Sequence, residues 1–404
     1  VWRQLWRVLE ISDIVLLIAD VRHPLLHFPP SLYQYVVHRL KKKLLVVFSK
    51  VDMVAPVTVK AWTRFFADRF PEVVVVPYAS YKRDHQMVTD TRVQDVKMRL
   101  RRTRHHILQN TGAAALMESC RDLASTLPVH APIDWDGLIQ KYSTLTNGEE
   151  LQRDQPIPDL SVSSVDEPPT KSSNFLTLGM VGHPNVGKSS LINSLMGRVV
   201  VSASKTPGHT KHFQTLFLTP SLRLCDCPGL VFPSETPKAV QILSGLYNVA
   251  QVQEPYTAVQ YLAERVPLEA LLKLTATDEI LAPGQKYWTA WTLCEAYAIR
   301  RGFFTSRVRR PDVYRAANTL LRMTVDGRIL LSFKPPGFFA STQPDVSGVE
   351  AQYVPLEGLE LDVQKDVPLL DQTTLESDTV EFSSDERDTE HELNSEGSDA
   401  DIEN

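Results

Sequence analysis

The chain has 404 residues, of which 43% are hydrophobic, so it is long enough for two or three domains with a sizeable core. Its four cysteines show neither a disulfide framework nor the paired spacing of a zinc finger, which argues against a secreted disulfide scaffold. No apolar run approaches the ~18 residues that span a bilayer, so we predict an intracellular protein without membrane contact.

Charge is distributed unevenly along the chain. The formal net charge is −5, but residues 341–404 contain 19 acidic residues and only Lys365 and Arg387 as basic ones. Residues 1–340 therefore carry a net charge of +12, from 41 basic and 29 acidic residues. A basic body with an acidic tail is typical of proteins that approach nucleic acid or ribonucleoprotein, although such a tail could serve solubility alone. We predict that the acidic tail is disordered.

The N-terminal part of the chain alternates between strand and helix patterns. Short, continuous apolar runs at 14–20, 44–48 and 73–78 predict strands that are buried on both faces. Helical patterns lie between them at 31–42 and 59–70. This alternation is typical of an open, mostly parallel α/β sheet.

A segment of different texture follows at 81–172. It contains a basic stretch at 97–106, a helical region near 113–127 and a polar, Pro- and Ser-containing end. We interpret it as a flexible, partly helical insertion without strands. The basic stretch either contacts RNA or belongs to a linker with incidental arginines.

Three further apolar runs complete the predicted sheet, at 176–182, 213–218 and 222–226. After Pro233 the apolar residues recur three and four apart at 239–250, 256–266 and 288–302, which predicts helices. The predicted division is, in chain order, 1–80 as the first part of the sheet domain, 81–172 as the insertion, 173–233 as its second part, 234–340 as a helical C-terminal domain and 341–404 as the acidic tail.

The segment after the fourth predicted strand fits the phosphate-binding pattern GxxxxGK[ST]. It consists of Gly182, His183, Pro184, Asn185, Val186, Gly187, Lys188 and Ser189, and Ser190 opens a helical pattern. In this setting backbone N–H groups surround the phosphates at a helix N-terminus. Lys188 would reach the β and γ phosphates, and Ser189 would ligate Mg²⁺.

Two downstream elements predict the rest of a triphosphate site. The last predicted strand ends in Asp226, Cys227, Pro228 and Gly229, where an acid belongs near Mg²⁺ and a glycine N–H can meet the γ phosphate. The preceding loop carries two threonines, and one of them would close on Mg²⁺ when a γ phosphate is present. We predict Thr210 as this ligand, with Thr206 as the alternative.

Guanine selection is predicted upstream of the phosphate site. Ser49, Lys50, Val51 and Asp52 follow a buried strand, and Ala79 and Ser80 follow the next one. A carboxylate at Asp52 can accept hydrogen bonds from guanine N1–H and N2–H₂, which adenine cannot supply. Lys50 would lay its aliphatic stem along the base. An ATPase is the less favoured alternative, and in it Asp52→Asn would leave nucleotide choice unchanged.

The order of these motifs resembles that of the circularly permuted GTPases of the YlqF/YawG type. The similarity rests on SKVD, AS, GHPNVGKS, PGHT and DCPG in this order and covers nearly all of 1–340. It implies a six-stranded P-loop G domain that binds GTP or GDP with Mg²⁺. It further implies a role in ribosome assembly, with a pre-ribosomal particle or another ribonucleoprotein as partner, in the nucleus, nucleolus and cytoplasm.

Three residues determine what we expect of nucleotide binding and GTP hydrolysis. Ser49 replaces the usual asparagine, so we expect a weaker hold on the base and the P-loop. Leu230 stands where Ras-like proteins carry the glutamine that orients water, so hydrolysis should be slow or assisted. Asn185 occupies the position that ligates K⁺ in potassium-activated GTPases, unless it only tolerates a turn conformation.

Because DCPG is followed at once by the helical domain, we expect a nucleotide-dependent switch that signals through that domain. A pseudo-GTPase that holds guanine nucleotide without useful turnover is the alternative.

Overall fold

The protein is built on one six-stranded sheet. A computed structural model describes residues 2–80, 111–127, 132–146, 175–201, 214–275, 288–306 and 309–338. The strands are β1 (Ile14–Asp20), β2 (Lys43–Ser49), β3 (Val74–Pro77), β4 (Leu176–Val181), β5 (Gln214–Thr219) and β6 (Leu222–Asp226). Their order is β3-β2-β1-β4-β6-β5, and every neighbouring pair is parallel except β5 with β6. The predicted α/β class and the six predicted strands are confirmed.

The two distant parts of the chain meet at the centre of this sheet. β1 pairs with β2 on one side and with β4 on the other, where Ile14 lies opposite Leu178 and Leu17 opposite Val181. All residues of β1 and β4 are buried. Burial on both faces explains why their sequences are continuous apolar runs instead of alternating ones.

Helices cover both faces of the sheet. The described helices are α1 (Trp2–Ile11), α2 (Pro24–His27), α3 (Pro30–Tyr33), α4 (Pro56–Arg69), α5 (Ala113–Ala124), α6 (Trp135–Thr146), α7 (Lys188–Met196), α8 (Lys238–Leu243), α9 (Tyr256–Ala263), α10 (Leu268–Leu271), α11 (Ala290–Arg301) and α12 (Val313–Val325), with a π-helix at Gln34–Arg39 and 3₁₀ turns at Val51–Met53 and Val249–Gln251. None of these helices combines the length and the apolarity that crossing a bilayer requires.

Two predicted helices are shorter than their apolar patterns. The pattern at 31–42 ends before Lys41, whose φ of 52° is left-handed. The pattern at 239–250 stops at Leu243 because Gly245 turns the chain with a φ of 82°. In both places a positive φ, which a helix cannot contain, ends the element before its hydrophobic periodicity does.

The described residues of the predicted insertion at 81–172 are helical, as predicted, but they pack on the sheet instead of forming a flexible linker. Helices α5 and α6 pack on the sheet, and their core side chains include Leu116, Met117 and Tyr142. The Tyr142 hydroxyl donates to the carbonyl of Leu195 at 2.7 Å. The basic stretch at 97–106 lies outside the described residues, as does the acidic tail at 341–404.

The C-terminal helices share a core with the sheet instead of standing apart. One continuous cluster of buried side chains joins α1 and α4 to residues of α8, α9, α11 and α12. The indole N–H of Trp62 in α4 donates to the carbonyl of Phe333 at 2.9 Å. The backbone N–H of Phe333 in turn donates to the carbonyl of Arg22, also at 2.9 Å. The C-terminal segment is therefore attached to the sheet by packing and by hydrogen bonds.

If α5 is integral to the sheet domain, Leu116→Ala should destabilise the whole protein. Leu116 is 0% exposed, and truncation of such a side chain costs about 2–5 kcal/mol of unfolding free energy. Urea unfolding followed by tryptophan fluorescence measures this loss. Val57→Ala is the control, because Val57 is 56% exposed and should change stability by less than about 0.5 kcal/mol. Equal stabilities of the two variants would show that α5 is a detached element.

Candidate functional site

The predicted motifs converge at one edge of the sheet. β1, β2, β3, β4 and β6 run parallel, so their carboxyl ends share this edge. The strand order reverses direction between β1 and β4, and ligands of open α/β sheets bind at such a point. The motifs that follow these strands are SKVD after β2, AS after β3, the P-loop after β4 and DCPG at the end of β6.

The P-loop packs tightly against the neighbouring strand. Gly182 has a φ of 148°, and a Cβ on it would lie 2.6 Å from the carbonyl oxygen of Ile18 in β1. Gly187 has a φ of 106° and caps α7, so the free N–H groups of the first helical turn face the loop. The buried Lys188 ammonium donates to the carbonyls of Gly182 at 3.0 Å and His183 at 2.6 Å. The loop thus has the phosphate-binding shape that its sequence predicts.

A serine and a carboxylate lie beside each other where Mg²⁺ is predicted. The Ser189 hydroxyl donates to Oδ2 of Asp226 at 3.3 Å, whereas Oδ1 of Asp226 is buried and has no hydrogen-bond partner among the described residues. Burial raises the pKa of Asp226 to about 6, although Lys188 and the bond from Ser189 act to lower it. An orphaned carboxylate oxygen next to a hydroxyl fits a hard cation with oxygen ligands. These two residues would hold Mg²⁺, which would supply positive charge against the phosphates.

Gly229 approaches the P-loop so closely that it has no room for a side chain. A Cβ on it would lie 2.8 Å from Cα of Pro184 and 3.2 Å from the Lys188 ammonium. Its backbone can therefore come near the phosphates that Lys188 would contact. The next residue, Leu230, turns its side chain into the hydrophobic core. Cys227 is also a core residue, and burial raises the pKa of its thiol to about 12.

The expectation that Ser49 leaves the P-loop unbraced is wrong. Its hydroxyl donates to the carbonyl of Val186 at 2.5 Å and lies 3.2 Å from the carbonyl of Ala19. A Cβ on Gly187 would be 3.8 Å from the Ser49 side chain, so strand and loop are in close contact. The serine hydroxyl thus makes a contact with the P-loop that we had expected only from the longer amide of asparagine.

Lys50 is fixed by groups on both sides of it. With a left-handed φ of 58°, it donates to Oδ2 of Asp20 at 2.8 Å and to the carbonyl of Asn185 at 2.7 Å. Burial lowers the pKa of Lys50, and Asp20 acts to raise it. Asp52 lies near enough to act electrostatically on the same ammonium. The hydrogen bonds to Asp20 and Asn185 fix the ammonium of Lys50, so its stem has a defined path beside the turn that is predicted to read the base.

The other residues that are predicted to lie near the base adjoin this turn. Val51 donates its N–H to the carbonyl of Tyr78 at 3.5 Å. Ala79 pairs with Thr111 through two backbone hydrogen bonds of 3.0 Å, and Ser80 follows it. The AS motif is therefore tied to the chain that enters α5, beside SKVD.

Two P-loop side chains point away from the predicted phosphate position. Asn185 has a φ of 58°, and its amide donates to the carbonyl of Gly245 at 2.9 Å. This geometry agrees with the turn interpretation of Asn185 and leaves its role toward K⁺ unsupported. His183 is buried between the rings of His27 and Phe232, at 5.4 and 5.3 Å between centroids. Burial lowers the pKa of His183 well below its ordinary value, so the ring packs as a neutral group.

Some predicted residues cannot be placed, and others were missed. Thr206 and Thr210 lie outside the described residues. Sequence reasoning assigned no role to Asp20 and Arg22, which form a buried ion pair at 2.7 Å. A signal for them existed: Asp20 ends a buried strand, and in a parallel sheet the strand ends lie side by side. Asp20 is indeed opposite Ser49.

Comparison with known proteins agrees with this site. Residues 177–273 match the family described as 50S ribosome-binding GTPase. The chain is 47% identical over 350 residues to guanine nucleotide-binding protein-like 1 of Homo sapiens, covering 83% of this chain and 57% of that protein. It is 34% identical over 346 residues to large subunit GTPase 1 of Schizosaccharomyces pombe, covering 84% and 50%. The chain thus spans about half the length of these curated relatives.

Among solved structures, GNP-bound YlqF from T. maritima aligns with 82% of this chain and 95% of its own. The TM-score is 0.44 and the sequence identity is 15%.

The raised pKa of Asp226 predicts that Mg²⁺ binding weakens in mild acid. The metal needs the carboxylate, whereas the metal-free protein holds a proton there below a pH of about 6. The Mg²⁺ concentration that half-saturates the nucleotide complex should therefore rise about tenfold per pH unit below 6. Titrations with a fluorescent GDP between pH 5 and 7.5 measure this, with circular dichroism at each pH as the folding control. A midpoint that does not change with pH would contradict the assignment.

Proposed function

We propose that the chain is a circularly permuted GTPase of the YlqF/YawG type, and that it acts as a GTP-dependent switch with slow or partner-stimulated hydrolysis. The observation that carries the proposal is the shared edge of the sheet. There the turn that contains Lys50 and Asp52 lies next to the P-loop. Ser189 of the P-loop in turn contacts Asp226 at the end of β6. A base reader and a phosphate and Mg²⁺ site at one edge suit a single guanine nucleotide.

Slow hydrolysis is supported by the surroundings of DCPG. Leu230 has a buried hydrocarbon side chain, so it offers no group that could orient a water molecule. The neighbouring Cys227 is equally buried. K⁺ stimulation through Asn185 would require its amide to leave Gly245. A group from a partner is therefore the simpler source of acceleration.

A ribosomal particle is the proposed partner, in the nucleus, nucleolus or cytoplasm. The name of one relative, large subunit GTPase 1, and the family description as 50S ribosome-binding GTPase support this choice. The net charge of +12 on residues 1–340 supports it independently, because ribosomal RNA is a polyanion.

Guanine selection is tested by Asp52→Asn. The variant loses charge-assisted hydrogen bonds to N1–H and N2–H₂, so GDP affinity should fall on the order of a hundredfold. Its amide can donate to the 2-oxo group of xanthine, so affinity for xanthosine diphosphate should rise, which shows that the protein is folded. Calorimetric titration with both nucleotides measures the exchange. Unchanged GDP affinity would remove Asp52 from base recognition.

The switch is tested by co-sedimentation and single-turnover hydrolysis with ribosomal particles. We expect more protein in the particle fraction with a non-hydrolysable GTP analogue than with GDP, and faster turnover when particles are added. A pseudo-GTPase would not hydrolyse GTP either with or without ribosomal particles. Equal sedimentation with both nucleotides would rule out nucleotide-dependent association.

A further inference from the structure

A buried ionic cluster lies behind the base-reading turn. It consists of Asp20, Arg22 and Lys50, and the side chains of Asp20 and Arg22 are 0% exposed. Oδ2 of Asp20 accepts from Arg22 Nη2 at 2.7 Å and from Lys50 Nζ at 2.8 Å, while Oδ1 accepts from the Arg22 backbone N–H at 3.0 Å. One carboxylate therefore orients two cations, and only one of them belongs to a nucleotide motif.

The second cation reaches the C-terminal helices. Arg22 Nη1 donates to the carbonyl of Thr324 at 3.0 Å, and Nη2 donates to that of Val325 at 3.2 Å. Both carbonyls belong to the last turn of α12, where a cation is stabilised by the helix dipole. The carbonyl of Thr324 also accepts from the backbone N–H of Gly327 at 3.0 Å. The planar guanidinium thus joins the end of β1 to the end of α12.

A second path connects the same two regions from the phosphate side. Lys50 donates to the carbonyl of Asn185, whose amide donates to the carbonyl of Gly245. Gly245 is against α12, since a Cβ on it would lie 3.0 Å from Cγ1 of Val325. Lys50 is therefore connected to the end of α12 through Asp20 and Arg22 on one side and through the P-loop on the other.

We propose that Asp20 and Arg22 are positioning residues that hold Lys50 for the guanine base and make nucleotide affinity depend on the docking of α12. The inference rests on the proposed function, because it presupposes guanine nucleotide at this site. Lys50 is oriented by Asp20, Asp20 by Arg22, and Arg22 by the carbonyls of α12. Coupling of two sites is reciprocal, so nucleotide must stabilise the docked helix as strongly as the docked helix strengthens nucleotide binding.

The charges within the cluster make it responsive to a change at either end. Burial acts to raise the pKa of Asp20, but Arg22 and Lys50 hold it well below its ordinary value, so the carboxylate stays ionised. If the hydrogen bonds from Arg22 to the α12 carbonyls break, the guanidinium changes its position on the Asp20 carboxylate. Lys50, which donates to the same carboxylate oxygen, then shifts as well. This route runs through the strand ends and the P-loop and does not require the loops that sense the γ phosphate.

The test compares Arg22→Lys with Trp62→Phe in the full chain. Lysine keeps the charge but lacks the planar fork that spans a carboxylate and two carbonyls. Trp62→Phe removes a different link between the sheet domain and the C-terminal segment, the 2.9 Å bond to the carbonyl of Phe333. The N–H of Phe333 donates to the main-chain carbonyl of Arg22, so this change loosens the same segment without altering the guanidinium. It therefore serves as a control for simple loosening of the C-terminal segment.

Two measurements are made, fluorescent-GDP affinity and hydrogen exchange at residues 320–327 with and without GDP. In the parent, GDP should slow exchange at these amides. Arg22→Lys should lower GDP affinity about tenfold and abolish this protection, whereas Trp62→Phe should keep the protection and GDP affinity within twofold. Arg22→Lys that retains both affinity and protection would overturn the inference.

The parent protein alone keeps the inference testable if Arg22→Lys does not fold. GDP binding by the parent without any change in exchange at residues 320–327 would overturn the inference and leave the proposed function intact. Failure of the parent to bind GDP would overturn the proposed function and this inference with it.

Discussion

The parallel pairing of β1 with β4 is the constraint on which the site depends. It places Ile18 beside Gly182, so a P-loop from the middle of the chain begins next to a strand from its start. Because β2 lies on the other side of β1, Ser49 comes within hydrogen-bond distance of Val186 across β1. Motifs that lie far apart along the chain are therefore adjacent in space.

The same pairing determines how nucleotide is connected to the rest of the protein. DCPG leads directly into the C-terminal helices, which share one hydrophobic core with α1 and α4. Arg22 and Asn185 add polar links from the strand ends to α12 and Gly245. In a protein packed in this way, a change at the site would shift whole elements, because a close-packed core does not deform continuously.

Much of this was predictable from sequence, and the failures have identifiable causes. Buried strands and the P-loop have local signals, namely apolar runs and a glycine pattern. For the Asp20–Arg22 pair the only signal is that Asp20 ends a buried strand, because the contacts of the pair depend on strand register and on a carbonyl 302 residues away. Ser49 was misjudged because residue type does not reveal how close the P-loop lies. The helix near 113–127 was predicted, but its packing on the sheet was not, because composition does not show which surface an amphipathic segment covers.

The most direct test of the account is a crystal structure of the chain with GDP and Mg²⁺. The account predicts one nucleotide, with the guanine edge on the Asp52 carboxylate, the phosphates over Lys188, and Mg²⁺ on Ser189. It also predicts that the Lys50 ammonium stays on Asp20. A nucleotide whose base lies away from Asp52 while its phosphates occupy the P-loop would contradict the claim that the two distant segments form a single guanine nucleotide site.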